Sequence, residues 1–235
     1  MDGSDAVRCG SAAPYTPPPM STPVVTLDGV AVRRPGTLVL RGVSLRIAPG
    51  EAIGLFGANG SGKTTLLRVM ATLLRPASGT GTVLGARLAT PEVESIRPRI
   101  GFVAHDPALA PHLTLAENLY LVAALAGATR VAADRALADV GLAGAARRRV
   151  VHCSNGMRRR AEFARMLLIG PSLLLLDEAH VGLDPEAFRL VAHVVAEVTG
   201  RGGAAVLVSH ERERAAAMIE RAVEVRDGTL AEVAP

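Results

Sequence analysis

The chain has 235 residues, 49% hydrophobic and only 3% aromatic with no Trp, which suits one large α/β domain with a small appendage and an aliphatic core. Its net charge of +4 is carried by arginines that are scattered or sit in short clusters, Arg147-Arg148-Arg149 and Arg158-Arg159-Arg160. These read as solvated helix faces, because no long basic run interleaved with aromatics supports a nucleic-acid stripe, and the distant Cys9 and Cys153 argue against a disulfide framework.

Residues 1 to 22 are rich in Pro, Ser and Gly and lack a basic start with an apolar core, so a disordered tail is expected there and not a secretion signal; Met20 is an alternative start. Val24 to Leu27 and Leu38 to Ile47 read as strands, the second alternating at Val43, Leu45 and Ile47, and Pro49-Gly50 leads into a buried strand from Ala52 to Phe56. A glycine-rich turn follows, then the helical pattern Leu66-Leu67-Arg68-Val69-Met70. Thr114-x-x-Glu117 is a capping box heading a helix that runs to Ala126, and Val131 to Val140 forms a second helix stopped by Gly141. Residues 107 to 170 therefore read as a helical insert. The nearest approach to a membrane span is Met166 to Leu176, which Gly170-Pro171 breaks well short of the roughly eighteen apolar residues required. Leu173 to Leu176 has the continuous apolar character of a central parallel strand, followed by a helix with Asp184 as N-cap and Pro185 at its first position. Ala204 to Ser209 is another buried strand, and Val223 to Val233 a hairpin turning at Asp227-Gly228.

Chemistry concentrates at two places. Gly57-Ala58-Asn59-Gly60-Ser61-Gly62-Lys63-Thr64-Thr65 satisfies G-x-x-x-x-G-K-T between a strand and a helix. Its glycines let backbone N–H groups turn toward one anionic centre, and the helix adds the positive end of its dipole. Lys63 is then expected on the β- and γ-phosphates and Thr64 on Mg²⁺. Asp177 and Glu178 end the strand Leu173 to Leu176 where open α/β sheets bind ligands, which suits Asp177 for the Mg²⁺ shell and Glu178 for orienting and deprotonating water. His210, at the end of the strand from Ala204, is a candidate γ-phosphate contact.

From about residue 23 this set resembles the ATP-binding cassette family. The phosphate loop comes first. Then follow a Ser-x-Gly signature at Cys153-Ser154-Asn155-Gly156-Met157 with a helix from Arg158 to Ile169, and the acid pair Asp177-Glu178. Gly182-Leu183-Asp184-Pro185 is similar to the family's D-loop, and His210 to its switch histidine. The resemblance implies an α/β P-loop NTPase core of cassette type with an N-terminal antiparallel β subdomain and a helical insert subdomain. It implies ATP and Mg²⁺ as ligands. It also implies two cassettes facing head to tail, a homodimer being expected, so that Ser154 and Gly156 of one close over ATP on the other with Asp184 nearby. The partners implied are a second cassette chain and integral membrane permease subunits, with membrane contact through the permease only, at the cytoplasmic face, and no direct nucleic-acid contact.

Departures from the family pattern narrow the expectation. Asn155 replaces the signature's first glycine and Met157 its glutamine; Asn tolerates φ > 0, so a surviving loop with a weaker dimer clamp is expected. Arg34 stands where the family stacks an aromatic on adenine, and its guanidinium plane can lie on a purine instead. His105 stands at the Q-loop glutamine position. Arg34 and His105 together are similar to the haem-exporter ATPase of cytochrome c maturation, so haem export is the expected function; Ser-x-Gly-Met-Arg-x-Arg is similar to drug- and polysaccharide-exporter ATPases, which are the alternative. A soluble cassette protein acting on nucleic acid or ribosomes is the alternative from another class, but residues 120 to 170 are too short for a long coiled coil. A sensor that never turns over is disfavoured by Glu178.

Overall fold

The computed structural model describes residues 22–179, 185–210 and 212–234. The expected tail up to residue 21, and Gly182, Leu183 and Asp184 with the N-cap and D-loop expectations, lie outside the described residues.

Strand β1 (Val25–Arg34) pairs antiparallel with β2 (Thr37–Ile47), from Val25 opposite Ile47 to Arg34 opposite Thr37. It runs past the expected end at Leu27. Asp28-Gly29 interrupts the apolar alternation, but the register shifts between Leu27 and Val30, with Gly29 at φ 58°, so that Val30 and Val32 return to the core. After β3 (Ala52–Phe56) and α1 (Lys63–Met70), β4 (Ser78–Val83) adds to the other edge of β1 and carries the short β5 (Ala86–Arg87), giving a four-stranded antiparallel sheet in the order β2-β1-β4-β5.

The chain then passes through α2 (Val93–Ile96) and β6 (Ile100–Val103) into three helices, α3 (Leu115–Leu125), α4 (Arg130–Asp139) and α5 (Asn155–Ile169). It returns through β7 (Leu173–Asp177), α6 (Pro185–Gly200), β8 (Ala204–Val208), α7 (Arg212–Ala216), β9 (Arg221–Arg226) and β10 (Thr229–Val233). The second sheet has six strands ordered β10-β9-β3-β8-β7-β6, parallel except for the terminal β9–β10 hairpin. Every residue of β3, β7 and β8 is buried, as unbroken apolar runs in a sheet covered on both faces must be. Because these strands run the same way, their C-terminal ends bring Phe56, Asp177 and Val208 to one edge, where the phosphate loop begins.

One apolar cluster packs the antiparallel sheet and α1 against one face of the parallel sheet; a second packs Phe163, Met166 and the valines of α6 on the other. The α3–α5 helices close a third around Leu115, Leu119, Leu137 and Ala161. The capping box at the head of α3 is complete: Glu117 N donates to Thr114 Oγ1 at 3.1 Å and Thr114 N to Glu117 Oε2 at 2.7 Å.

Helix α5 corrects the expectation of a start at Arg158. Ser154 is its N-cap, its hydroxyl accepting from Met157 N at 3.2 Å, and this draws Asn155 and Gly156 into the first turn. Asn155 is therefore helical and has no positive φ, so its tolerance of that region is not what preserves the loop. Among the described residues no helix is long and apolar enough to cross a membrane.

Candidate functional site

The phosphate loop leaves β3 at Phe56. Gly57, at φ 138°, allows its backbone within a distance at which a Cβ would stand 2.5 Å from the Val225 carbonyl oxygen, and Gly62, at φ 115°, is the N-cap of α1. The first turn of α1 holds no acidic residue, so its free N–H groups and dipole face the loop without internal competition. Lys63 is buried, and its Nζ donates to the carbonyls of Gly57 at 2.8 Å and Ala58 at 2.9 Å. Burial lowers its pKa, an effect that Glu178 and then Asp177 oppose. Ser61 Oγ is buried without a hydrogen-bond partner.

The acid pair lies across from Lys63. Asp177 closes β7 opposite Val208 and is 7% exposed, and the Thr64 hydroxyl donates to its carboxylate. Burial raises its pKa, the Thr64 hydrogen bond lowers it, and the neighbouring Glu178 charge raises it again. Glu178 stands at φ 55°, a region unfavourable for a residue with a Cβ, with its N–H on the Val208 carbonyl at 3.2 Å. From the next strand His210 brings its Nε2 to 2.5 Å from Glu178 Oε1. Two residues on, Arg212 donates to Glu224 Oε2 at 2.8 Å and covers the Phe56 ring, tying the His210 segment to β9 and β3.

Thr64 and Asp177 together offer a hydroxyl and a carboxylate oxygen, the hard donors that Mg²⁺ selects. No group of three or more His, Cys, Asp or Glu that could hold a metal occurs among the described residues.

A cleft of about 590 Å³ opens over the loop, lined by Ala58, Asn59, Gly60 and Ser61, by Thr37 to Val39 and Arg41, and by the Glu224 to Gly228 turn. The sequence marks the turn as a hairpin but marks neither it nor Arg41 as part of the site. Their approach depends on a tertiary hydrogen bond from Arg41 N to the Gly228 carbonyl at 2.7 Å, and the Asp227-Gly228 turn signal alone carries no hint of it. Arg34 is exposed and does not line the cleft, although its strand partner Thr37 does. His105 is exposed beyond β6, with its carbonyl held at 2.6 Å by Arg159. Ser154 and Gly156 are exposed at the head of α5, outside this cleft, and a Cβ at Gly156 would meet nothing within 4 Å. Nor is the Arg158-Arg159-Arg160 run a wholly solvated face. Arg159 is half-buried and donates to the Ala104 carbonyl at 2.7 Å.

A phosphate loop at the C-terminal edge of a parallel sheet, faced by a buried aspartate, a strained glutamate and a histidine, defines a P-loop nucleotide hydrolase. Residues 40–181 match the family model described as ABC transporter. The chain is 37% identical over 215 residues to the daunorubicin resistance ATP-binding protein DrrA3 of Streptomyces coeruleorubidus, covering 90% of this chain and 68% of that one. It is 34% identical to the macrolide export ATP-binding/permease protein MacB of Burkholderia pseudomallei over 90% of its own length but only 34% of MacB, so it spans about a third of that relative. A dimeric ATP-binding cassette in a post-hydrolysis state, bound to ADP and phosphate, superposes with a TM-score of 0.79 at 26% identity, covering 90% of this chain and 99% of that one. The chain belongs to the ABC transporter family, as an ATP-hydrolysing cassette.

Proposed function

We propose that this cassette works as a dimer that hydrolyses ATP to drive an export permease, and that the cargo is a small amphiphilic compound of the drug class. The observation that carries the hydrolytic reading is the meeting of Lys63, Asp177, Glu178 and His210 beside the phosphate loop. ATP would lie with its phosphates over the N-terminus of α1 along Gly57 to Thr65, where Lys63 exchanges the Gly57 and Ala58 carbonyls for phosphate oxygens. Thr64 and Asp177 would hold Mg²⁺, which supplies charge neutralisation on the β- and γ-phosphates. Glu178 accepts the proton of the attacking water, and His210 holds that carboxylate in position and reaches toward the γ-phosphate.

Ser154 and Gly156 support a site completed by a second chain, since they lie outside the cleft yet present a capped helix N-terminus suited to phosphate. Attachment to permease subunits at the cytoplasmic face of the membrane follows from the export reading. The drug-class cargo rests on the two exporters named above and on Ser154-x-Gly156-Met157-Arg158-x-Arg160. Haem export is the second reading, favoured by Arg34 and His105 alone.

Purified chain given Mg²⁺ and ATP tests the core of this proposal: steady phosphate release that stops on chelation of Mg²⁺ supports it, and its absence overturns it. Co-purification with a membrane protein separates the transport reading from a soluble cassette that acts on nucleic acid.

A further inference from the structure

Helix α5, which begins at Ser154, carries three ionisable side chains that no step above uses. Arg159 donates through Nη1 to the Ala104 carbonyl at 2.7 Å and through Nη2 to the His105 carbonyl at 2.6 Å. Six positions on, Arg165 donates to the carbonyls of Phe102 and Ala108, each at 3.4 Å. Between them sits Glu162, whose side chain is fully buried and whose Oε2 meets Arg165 Nη2 at 3.4 Å. Two guanidinium groups from one helix thus hold three carbonyls in the connection that links β6 to α3 and a fourth, that of Phe102, in β6 itself.

These contacts are poorly explained as stabilisation. Glu162 Oε1 and Arg165 Nε are both buried without a partner, and a buried carboxylate that keeps an unpaired oxygen costs more than an apolar side chain in the same place. The geometry also has a direction. Phe102 and Val103 are paired with β7, and residues 104–108 beyond them are irregular backbone, whereas α5 is a regular helix of 15 residues. The short Arg159 bonds, at 2.7 and 2.6 Å, are the contacts through which a displacement of α5 would reach residues 104–105.

We propose that Arg159 and Arg165, set by Glu162, are positioning residues that couple the Ser154 end of α5 to the connection at residues 102–108. The proposal rests on the functional reading above, in which Ser154 meets the nucleotide of a partner chain. Closure at Ser154 then moves His105 and Asp106, and displacement of that connection shifts Ser154.

The test compares wild type with Arg159→Met, Arg165→Met and the conservative Arg159→Lys in the full chain. Phosphate release, ATP affinity, melting temperature and hydrogen–deuterium exchange of residues 102–110 are measured on each. The Met variants keep the aliphatic stem and lose the forks. Expected results are a fall in kcat of at least tenfold with KM and ATP affinity within twofold, a near-native melting temperature, faster exchange in 102–110, and partial recovery in Arg159→Lys. Unchanged kcat with unchanged exchange overturns the coupling, as does a loss of rate that only follows a loss of folded protein. If wild type releases no phosphate, the functional reading fails by itself. The exchange of residues 102–110 then still decides the brace, since unchanged exchange in both Met variants contradicts it.

Discussion

Glu178 Oε1 and His210 Nε2 lie 2.5 Å apart although 32 positions separate the residues in the chain. The contact exists because β7 and β8 are adjacent parallel strands that end together, with Asp177 opposite Val208. It gives Glu178 a fixed direction while its backbone is held at φ 55°, a conformation that costs about 1 kcal/mol or more and is kept where surrounding structure over-determines it.

Glu178→Gln preserves the shape and the contact to His210 but removes the proton acceptor. Turnover is expected to fall by roughly 10²- to 10⁴-fold, the usual contribution of a positioned base, while ATP stays bound and a loaded dimer accumulates. Phosphate release and gel filtration with ATP check this, and hydrolysis near the wild-type rate would remove Glu178 from the role of base.

Lys63→Ala acts on binding itself. The ammonium is buried among Gly57, Ala58 and the two acids, so its loss removes a desolvated cation from the phosphates and leaves Mg²⁺ alone to offset Asp177 and Glu178. Affinity for a non-hydrolysable ATP analogue, measured by equilibrium titration, is expected to drop at least tenfold. Unchanged affinity would show that the loop does not cradle phosphate.

Asp177→Asn separates stability from function. Burial raises the carboxyl pKa above its unfolded value, so the native state holds that proton more tightly than the unfolded chain does. The resulting stability is fully present below the unfolded pKa and is lost as pH rises through the folded pKa. The nucleotide-free Asn variant should therefore melt higher than wild type at pH 7 to about 8, with the difference vanishing at pH below the ordinary carboxylate range. Mg²⁺-dependent hydrolysis should be lost at every pH. A lower melting temperature at neutral pH would contradict this ordering.

Arg34→Ala should weaken ATP binding and Arg34→Tyr largely restore it, if Arg34 swings from the turn beside Thr37 onto the base; base stacking on a planar side chain is worth roughly 1–3 kcal/mol. Calorimetry on the two variants reads this directly. If neither moves the dissociation constant, Arg34 is a solvent-facing arginine and the haem-export alternative loses one of its two supports.

What was legible in the sequence is what short segments encode by themselves. The strand Ala52 to Phe56, the phosphate loop between it and a helix, the Thr114–Glu117 box and Pro185 at the head of α6 are local patterns whose physics is complete within about ten residues. The strand β4, Ser-Gly-Thr-Gly-Thr-Val, has no apolar alternation and is held by its pairing with β1 on one side and the short β5 on the other, so nothing local marks it. Ser154 was recognised as part of a motif, but its role as N-cap, which moves the start of α5 back to Asn155, depends on a hydrogen bond the motif does not advertise. Glu162 and Arg159 look like a charged helix face. Only tertiary packing buries Glu162 and half-buries Arg159, and a charge pattern carries no information about what lies opposite.

The dependence of phosphate release on chain concentration tests the central claim most directly, because the nucleotide on Lys63 is taken to need Ser154 of a second chain. With Mg²⁺ and saturating ATP, specific activity should rise with chain concentration and then level off as the dimer fills, and Ser154→Arg should abolish it without loss of ATP binding. A specific activity that is constant from the lowest concentration at which the chain is monomeric, or one that survives Ser154→Arg, would contradict a site shared between two chains.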